Sequence, residues 1–163
     1  MSMFDLLRLL TEAKVEFVLV GGLAVALRGY SRLTMDVDIV LAMDIENLQH
    51  FITYARNANL RPVMPVNLED LTRPELLNQW HDEKHMQAFS LQSRDAVATV
   101  LDILIRPVLD FETLKKAADG IEIGPLTIPV ASIDHLIAMK SGTGRNKDLI
   151  DIEELQKIRR SSS

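Results

Sequence analysis

The chain has 163 residues, 47% of them apolar, and carries a net charge of −5 from 18 basic and 23 acidic side chains. That length fits one domain with a core of its own, and the acidic balance argues against a broad basic footprint for long nucleic acid. Cysteine is absent, which excludes disulfides, thiolate metal sites and a cysteine nucleophile. The N-terminal stretch sets Asp5 and Arg8 inside its apolar region, an amphipathic helix pattern and not a signal peptide. No apolar run approaches the length of a membrane span, so the expected location is cytoplasmic, with no membrane partner.

Taken in chain order, Phe4, Leu7 and Leu10 leave a helical stripe over residues 3–14. Residues 17–20 form a short apolar strand that Gly21-Gly22 stops, and helix formers resume over 23–29. Residues 35–41 alternate as a strand, with Asp36 and Asp38 on one side and Val37, Ile39 and Leu41 on the other. Asp44 is placed to cap a helix over 45–58. Pro62, Pro65, Asn67 and Pro74 break residues 60–82 into a short strand, a loop and one helix around 75–80. Residues 86–91 and 97–105 read as two strands turning near 93–95. Asp110 caps a helix to about residue 118, residues 121–128 form a hairpin around Gly124-Pro125, and Ser132 starts a helix that runs to Lys140. A loop over 141–146 leads to a last helix over 147–158 and a frayed end. The expectation is one α+β domain over residues 1–160, a mixed sheet flanked by helices with a helical C-terminal segment, and a disordered tail at 161–163.

Three segments carry candidate chemistry. At Gly21-Gly22 a buried strand turns straight into a helix. Glycines there let a phosphate approach the backbone, and a helix start offers unpaired N–H groups, though a tight turn alone needs the same residues. Asp36 and Asp38, two apart in a strand, point the same way roughly 7 Å from each other. Like charges so placed need a cation, a basic partner or open water. Asp102 stands alone inside the apolar run 97–105. Burying an unpaired carboxylate costs several kcal/mol, so Asp102 marks either a function or an ion pair with nearby Arg106.

Together, Gly21-Gly22, Asp36-Val37-Asp38 and the later Asp102 resemble the nucleotidyltransferase superfamily that includes DNA polymerase β, kanamycin-type antibiotic nucleotidyltransferases and bacterial minimal nucleotidyltransferases. The stretch from Leu136 through Lys140, Arg145-Asn146-Lys147-Asp148 and Asp151 is similar to the Lys…Arg-x-Lys-Asp-x-x-Asp pattern of the AbiEii/AbiGii toxin-like branch. The resemblance spans roughly residues 15–155. It implies a nucleotidyltransferase-type fold and transfer of a nucleoside monophosphate from ATP or another NTP to an acceptor hydroxyl or phosphate on a small molecule, an RNA end or a protein. It also implies that Asp36, Asp38 and Asp102 hold Mg²⁺ (or Mn²⁺), that Gly21 and Gly22 cradle phosphates, and that Lys140 and Arg145, with Arg32 and Thr34, contact nucleotide or acceptor. Such transfer rests on positioning and charge neutralisation by the protein. Asp148 and Asp151 read first as capping or pocket-shaping residues.

Two other patterns are set aside. His81 and His85 have the i, i+4 spacing of zinc proteases, but Asp82 stands where that motif needs Glu. The stretch 142–148 lacks the Gly-Lys-Ser/Thr ending of a P-loop. The competing function is a non-catalytic nucleotide-binding module or toxin–antitoxin component of the same fold. A chain this short would then rely on a partner protein or a second copy to supply acceptor-binding surface.

Overall fold

A computed structural model describes residues 1–31, 33–94 and 99–161. Helix α1 (Met3–Glu12) starts at a reciprocal cap: Ser2 Oγ accepts from the Asp5 N–H at 3.1 Å, and the Asp5 carboxylate accepts from the Ser2 N–H at 3.1 Å. Its stripe Leu6, Leu7 and Leu10 is buried. Strand β1 (Phe17–Val20) is buried at all four residues and runs directly into α2 (Gly21–Leu27). Strand β2 (Asp36–Leu41) follows, then α3 (Ile45–Asn57), which Asp44 caps by accepting from the Asn47 N–H. A two-residue strand β3 (Arg61–Pro62), a 3-10 turn (Leu68–Thr72) and α4 (Pro74–Lys84) lead to β4 (Ala88–Gln92) and β5 (Val100–Leu104). The chain closes with α5 (Phe111–Ala117), β6 (Asp119–Ile123), β7 (Leu126–Val130), α6 (Ile133–Lys140) and α7 (Asn146–Ser161).

The strands form one mixed sheet in the order β3-β4-β5-β2-β1-β7-β6. β2 and β5 are parallel, as are β1 and β7, and the other neighbours are antiparallel. The apolar positions of the central strands are buried; those of β2 and β5 alternate with the acids, while β1 is apolar and buried on both faces. One group of helices, α2, α6 and α7, is held together in series, with α2 also against β2. The Arg28 guanidinium locks α2 to β7 by donating to the carbonyls of Ala131 and Val130 at 3.0 and 3.1 Å. On the other side of the chain path, α1, α3, the 3-10 turn and α4 touch in succession. Buried Asn47 ties α3 to the sheet: it accepts from the Glu16 N–H at 2.7 Å and donates to the carbonyls of Glu16 and Ala42. Trp80 packs on Phe89 with ring centroids 6.4 Å apart, so it serves the core. Among the described residues no helix is long and apolar enough to cross a membrane.

The structure departs from the sequence expectation in a few places. Gly21 and Gly22 do not precede α2 but begin it. The segment expected to be loop before α4 holds the 3-10 turn, where the Asp70 carboxylate accepts from the Asn67 N–H at 3.0 Å. α7 extends through Ser161, which had been expected in a frayed tail. Its hydroxyl donates to the Lys157 carbonyl at 3.0 Å and prolongs the last turn. Part of the expected β4–β5 turn and the start of the second strand, at Asp95 and Val97, fall outside the described residues.

Candidate active site

The sheet register brings the acids together. β2 and β5 lie side by side and parallel, with Asp38 directly opposite Asp102 and Asp36 opposite Val100. Facing residues on neighbouring strands project to the same side, so all three carboxylates share one face. Arg106, the alternative ion-pair partner for Asp102, instead donates to Asp82 at 2.5 Å. Asp102 is left to its acidic neighbours and to Ser90, whose hydroxyl donates to it at 2.5 Å.

This crowding has an electrostatic signature. Burial, the nearby charge and hydrogen bond of Asp102, and the charge of Asp36 push Asp38 up to about 7, against a smaller pull from Lys140. Asp36 is raised by partial burial and by Asp102, and Lys147 partly offsets this. Asp38 in this state holds a proton where a cation would serve as well. Gly21 makes the packing feasible. Its φ is +73°, and a Cβ built there would lie 2.0 Å from Asp38 Oδ2. The first glycine is therefore required by the Asp38 carboxylate, whatever else it touches.

These acids open onto a cleft with a volume of about 750 Å³, also lined by Gly21, Gly22, Thr34, Lys140, Arg145 and Lys147. Thr34 donates its hydroxyl to the Asp36 carbonyl at 3.3 Å and so braces the start of β2. Arg32 falls outside the described residues. Lys140 and Arg145 reach the cleft already paired. Lys140 Nζ lies 2.9 Å from Asp151 and 3.3 Å from Asp148, and Arg145 Nε lies 2.7 Å from Asp148. Both aspartates are only 1% exposed and Lys140 11%. Asp148 is held below the usual carboxylate range. Burial opposes its ionisation, but the Thr143 hydroxyl, Lys140 and Arg145 outweigh it. It is a buried counter-ion that joins α6 to α7. The cation that sequence reasoning passed over is Lys147. It is exposed on the first turn of α7, lines the cleft and acts on Asp36 through space. Its place beside Arg145 in the Arg-Asn-Lys-Asp run was the available signal.

Among the described residues no three acidic or histidine side chains already close around one point as a metal cage. The donor set still suits a hard divalent cation: two adjoining carboxylates carry a surplus of negative charge, with a third two residues away. His81 and His85 form no such pair. His81 sits beside Asp82 at 3.3 Å, while His85 ends α4 in a left-handed turn with φ 54°.

A second cavity, of about 540 Å³, lies beyond the far end of β5 and is walled mainly by apolar residues of α3, α4 and the β5–α5 connection, including Leu48 and Leu77. It holds none of the three acids.

Comparison with known proteins gives the fold an independent reading. A search of curated protein sequences returns no match. Among solved structures, the lincomycin-bound lincosamide antibiotic adenylyltransferase LnuA superposes with a TM-score of 0.62 at 19% identity, covering 96% of this chain and 95% of that one. An antigenic nucleotidyltransferase-like protein from Paracoccidioides brasiliensis gives 0.57 at 17% identity over 94% of this chain and 72% of its own. ANT(2")-Ia in complex with adenylyl-2"-tobramycin gives 0.57 at 12% identity over 98% and 93%. These likenesses show the nucleotidyltransferase fold. Residues 5–162 match the family model described as "Nucleotidyl transferase AbiEii toxin, Type IV TA system", a span that takes in both the acidic strands and the basic wall, and the chain belongs to that family.

Proposed function

We propose that this protein transfers a nucleoside monophosphate from ATP or another NTP to an acceptor hydroxyl or phosphate, with Asp36, Asp38 and Asp102 holding Mg²⁺ or Mn²⁺. The observation that carries this reading is the register of β2 and β5. It sets Asp38 against Asp102 in a cleft that Lys140, Arg145 and Lys147 also line. When bound, the cation would neutralise phosphate charge and lower the pKa of an acceptor hydroxyl near it.

The chain's own groups do the rest. Asp38, which holds its proton up to about 7, would release it if a cation bound, so proton release near neutral pH is expected on cation binding. Asp102, opposite Asp38 and lining the cleft, is the group we assign to take the acceptor's proton. Lys147 is exposed, acts on Asp36 through space and is suited to a phosphate oxygen. Lys140 and Arg145 present charge to the same wall while Asp148 and Asp151 keep them in place. Gly21 and Gly22, at the start of α2, line the cleft beside Asp38 and are the backbone we assign to the triphosphate. The acceptor hydroxyl or phosphate is sought on three classes of molecule: a small molecule, an RNA end, or a protein.

The test is incubation of the purified protein with Mg²⁺ and each α-labelled NTP against a panel drawn from those three classes. Label transfer by the parent is expected, with a loss of about 100-fold or more in Asp102→Asn. No transfer to any acceptor, together with no metal-dependent nucleotide binding by calorimetry, would overturn the assignment.

A further inference from the structure

Directly across the sheet from Asp102, on the side away from Asp38, stands Ser90. β4 pairs with β5 in a register that puts Ser90 opposite Asp102, and β5 pairs with β2 so that Asp102 is opposite Asp38. The three side chains form a row across three strands on one face. The Ser90 hydroxyl donates to Asp102 Oδ1 at 2.5 Å, and Asp38 flanks Asp102 on the other side. Ser90 is itself anchored: its carbonyl accepts from the Val63 N–H at 2.9 Å, just past the edge strand β3.

We propose that Ser90 is a positioning residue, whose hydroxyl fixes the Asp102 carboxylate with one oxygen turned toward β4 and the other free to face Asp38 and the cleft. The inference rests on the reading under Proposed function for what Asp102 then does. An aspartate on a strand has two free side-chain torsions, by which its carboxylate can turn away from the cleft. A hydroxyl donor on the far side opposes that turn and occupies only one of the acceptor positions of the carboxylate, leaving the others for a ligand. Asp102 lines the cleft and Ser90 does not, so Ser90 acts through Asp102 and not on substrate. Groups behind a metal-binding carboxylate are commonly worth about 10- to 100-fold in metal affinity.

The experiment compares Ser90→Ala and Ser90→Thr with the parent. Mn²⁺ binding to the metal-free proteins is followed by calorimetry, and kcat and KM are measured for nucleotide transfer. The Ala variant should bind Mn²⁺ about 10- to 100-fold more weakly. It should lose kcat with an unchanged KM for the nucleotide, and should melt within a few degrees of the parent. The Thr variant keeps the hydroxyl in a strand-favouring side chain and should recover most of both. Parent-like Mn²⁺ affinity in the Ala variant, or a Thr variant as weak as the Ala variant, overturns the proposal. A crystal structure of the metal-free Ala variant separates this outcome from a failure of the functional reading. If the parent transfers nothing, a swung Asp102 carboxylate still supports the positioning role, and an unmoved one overturns it.

Discussion

Two clusters of aspartates adjoin the same cleft and behave oppositely. On the floor, Asp38 is pushed up to about 7 by burial and by Asp102 and Asp36. On the wall, Asp148 is only 1% exposed, yet it is held below the usual range by the Thr143 hydroxyl, Lys140 and Arg145. Depth of burial does not decide the matter; the partner does. The wall cluster is complete in itself, two acids against two bases. On the floor cluster, burial and mutual repulsion outweigh the pull of Lys140 and Lys147, which is a condition that favours binding a cation.

The largest expected effect comes from breaking the complete cluster. Lys140→Met removes from buried Asp148 and Asp151 the cation that lies 3.3 and 2.9 Å from them and should lower stability by about 3–5 kcal/mol in urea unfolding. The same substitution in an Asp151→Asn background, with one charge fewer left behind, should lower it less, and equal losses would show the pair to be uncoupled. Next comes the incomplete cluster. Asp38→Asn should reduce transfer about 100-fold or more, about 2.7 kcal/mol in the barrier, while raising Tm at pH 8, because it removes an acid that is costly to ionise. A fall in Tm at pH 8 would contradict the electrostatic account.

The pH dependence has opposite signs in the two places. Asp38 binds its proton more tightly folded than unfolded, so its share of the metal-free protein's stability is full below 3.8 and is lost as pH rises through about 7. Asp148 works the other way: its share is present above 3.8 and lost as the pH falls through its lowered folded value. Urea midpoints at pH 5 and pH 8 should therefore differ less in Asp38→Asn than in the parent.

Gly21→Ala should cost at least about 1–3 kcal/mol from its left-handed backbone alone, and the added methyl must displace the Asp38 carboxylate. Weaker Mn²⁺ binding is the expected companion to a lower Tm. The smallest effect is expected at Arg145, which is 62% exposed. Arg145→Ala should cost under about 1 kcal/mol, and a larger loss would move it into the structural core of the wall.

The parts legible in the sequence were those settled locally. Asp44, Asp110 and Ser132 each cap a helix by accepting from the N–H three residues on, a contact that needs no tertiary information. Asp102 was visible because an acid inside an apolar strand violates the pattern around it. Ser90 was invisible, since a serine on the polar side of a half-buried strand violates nothing and its partner depends on β4–β5 register. The same limit hid the pairing of Lys140 with Asp148 and Asp151. The segment showed basic and acidic residues, but their mutual neutralisation follows from how α6 meets α7. The crossovers that set β1 beside β7 and β2 beside β5 likewise depend on packing and not on any one segment's pattern.

β2 and β5 are hydrogen-bonded on both flanks, whereas the loop carrying Thr143 and Arg145 is solvent-facing. Amide protons of the acidic strands should therefore be among the last in the molecule to exchange with solvent deuterium, and those of the basic loop among the first. A ligand entering the cleft would meet a rigid anvil on one side and an adjustable jaw on the other, so slowed deuterium uptake in residues 141–147 on adding nucleotide would register its arrival even without turnover.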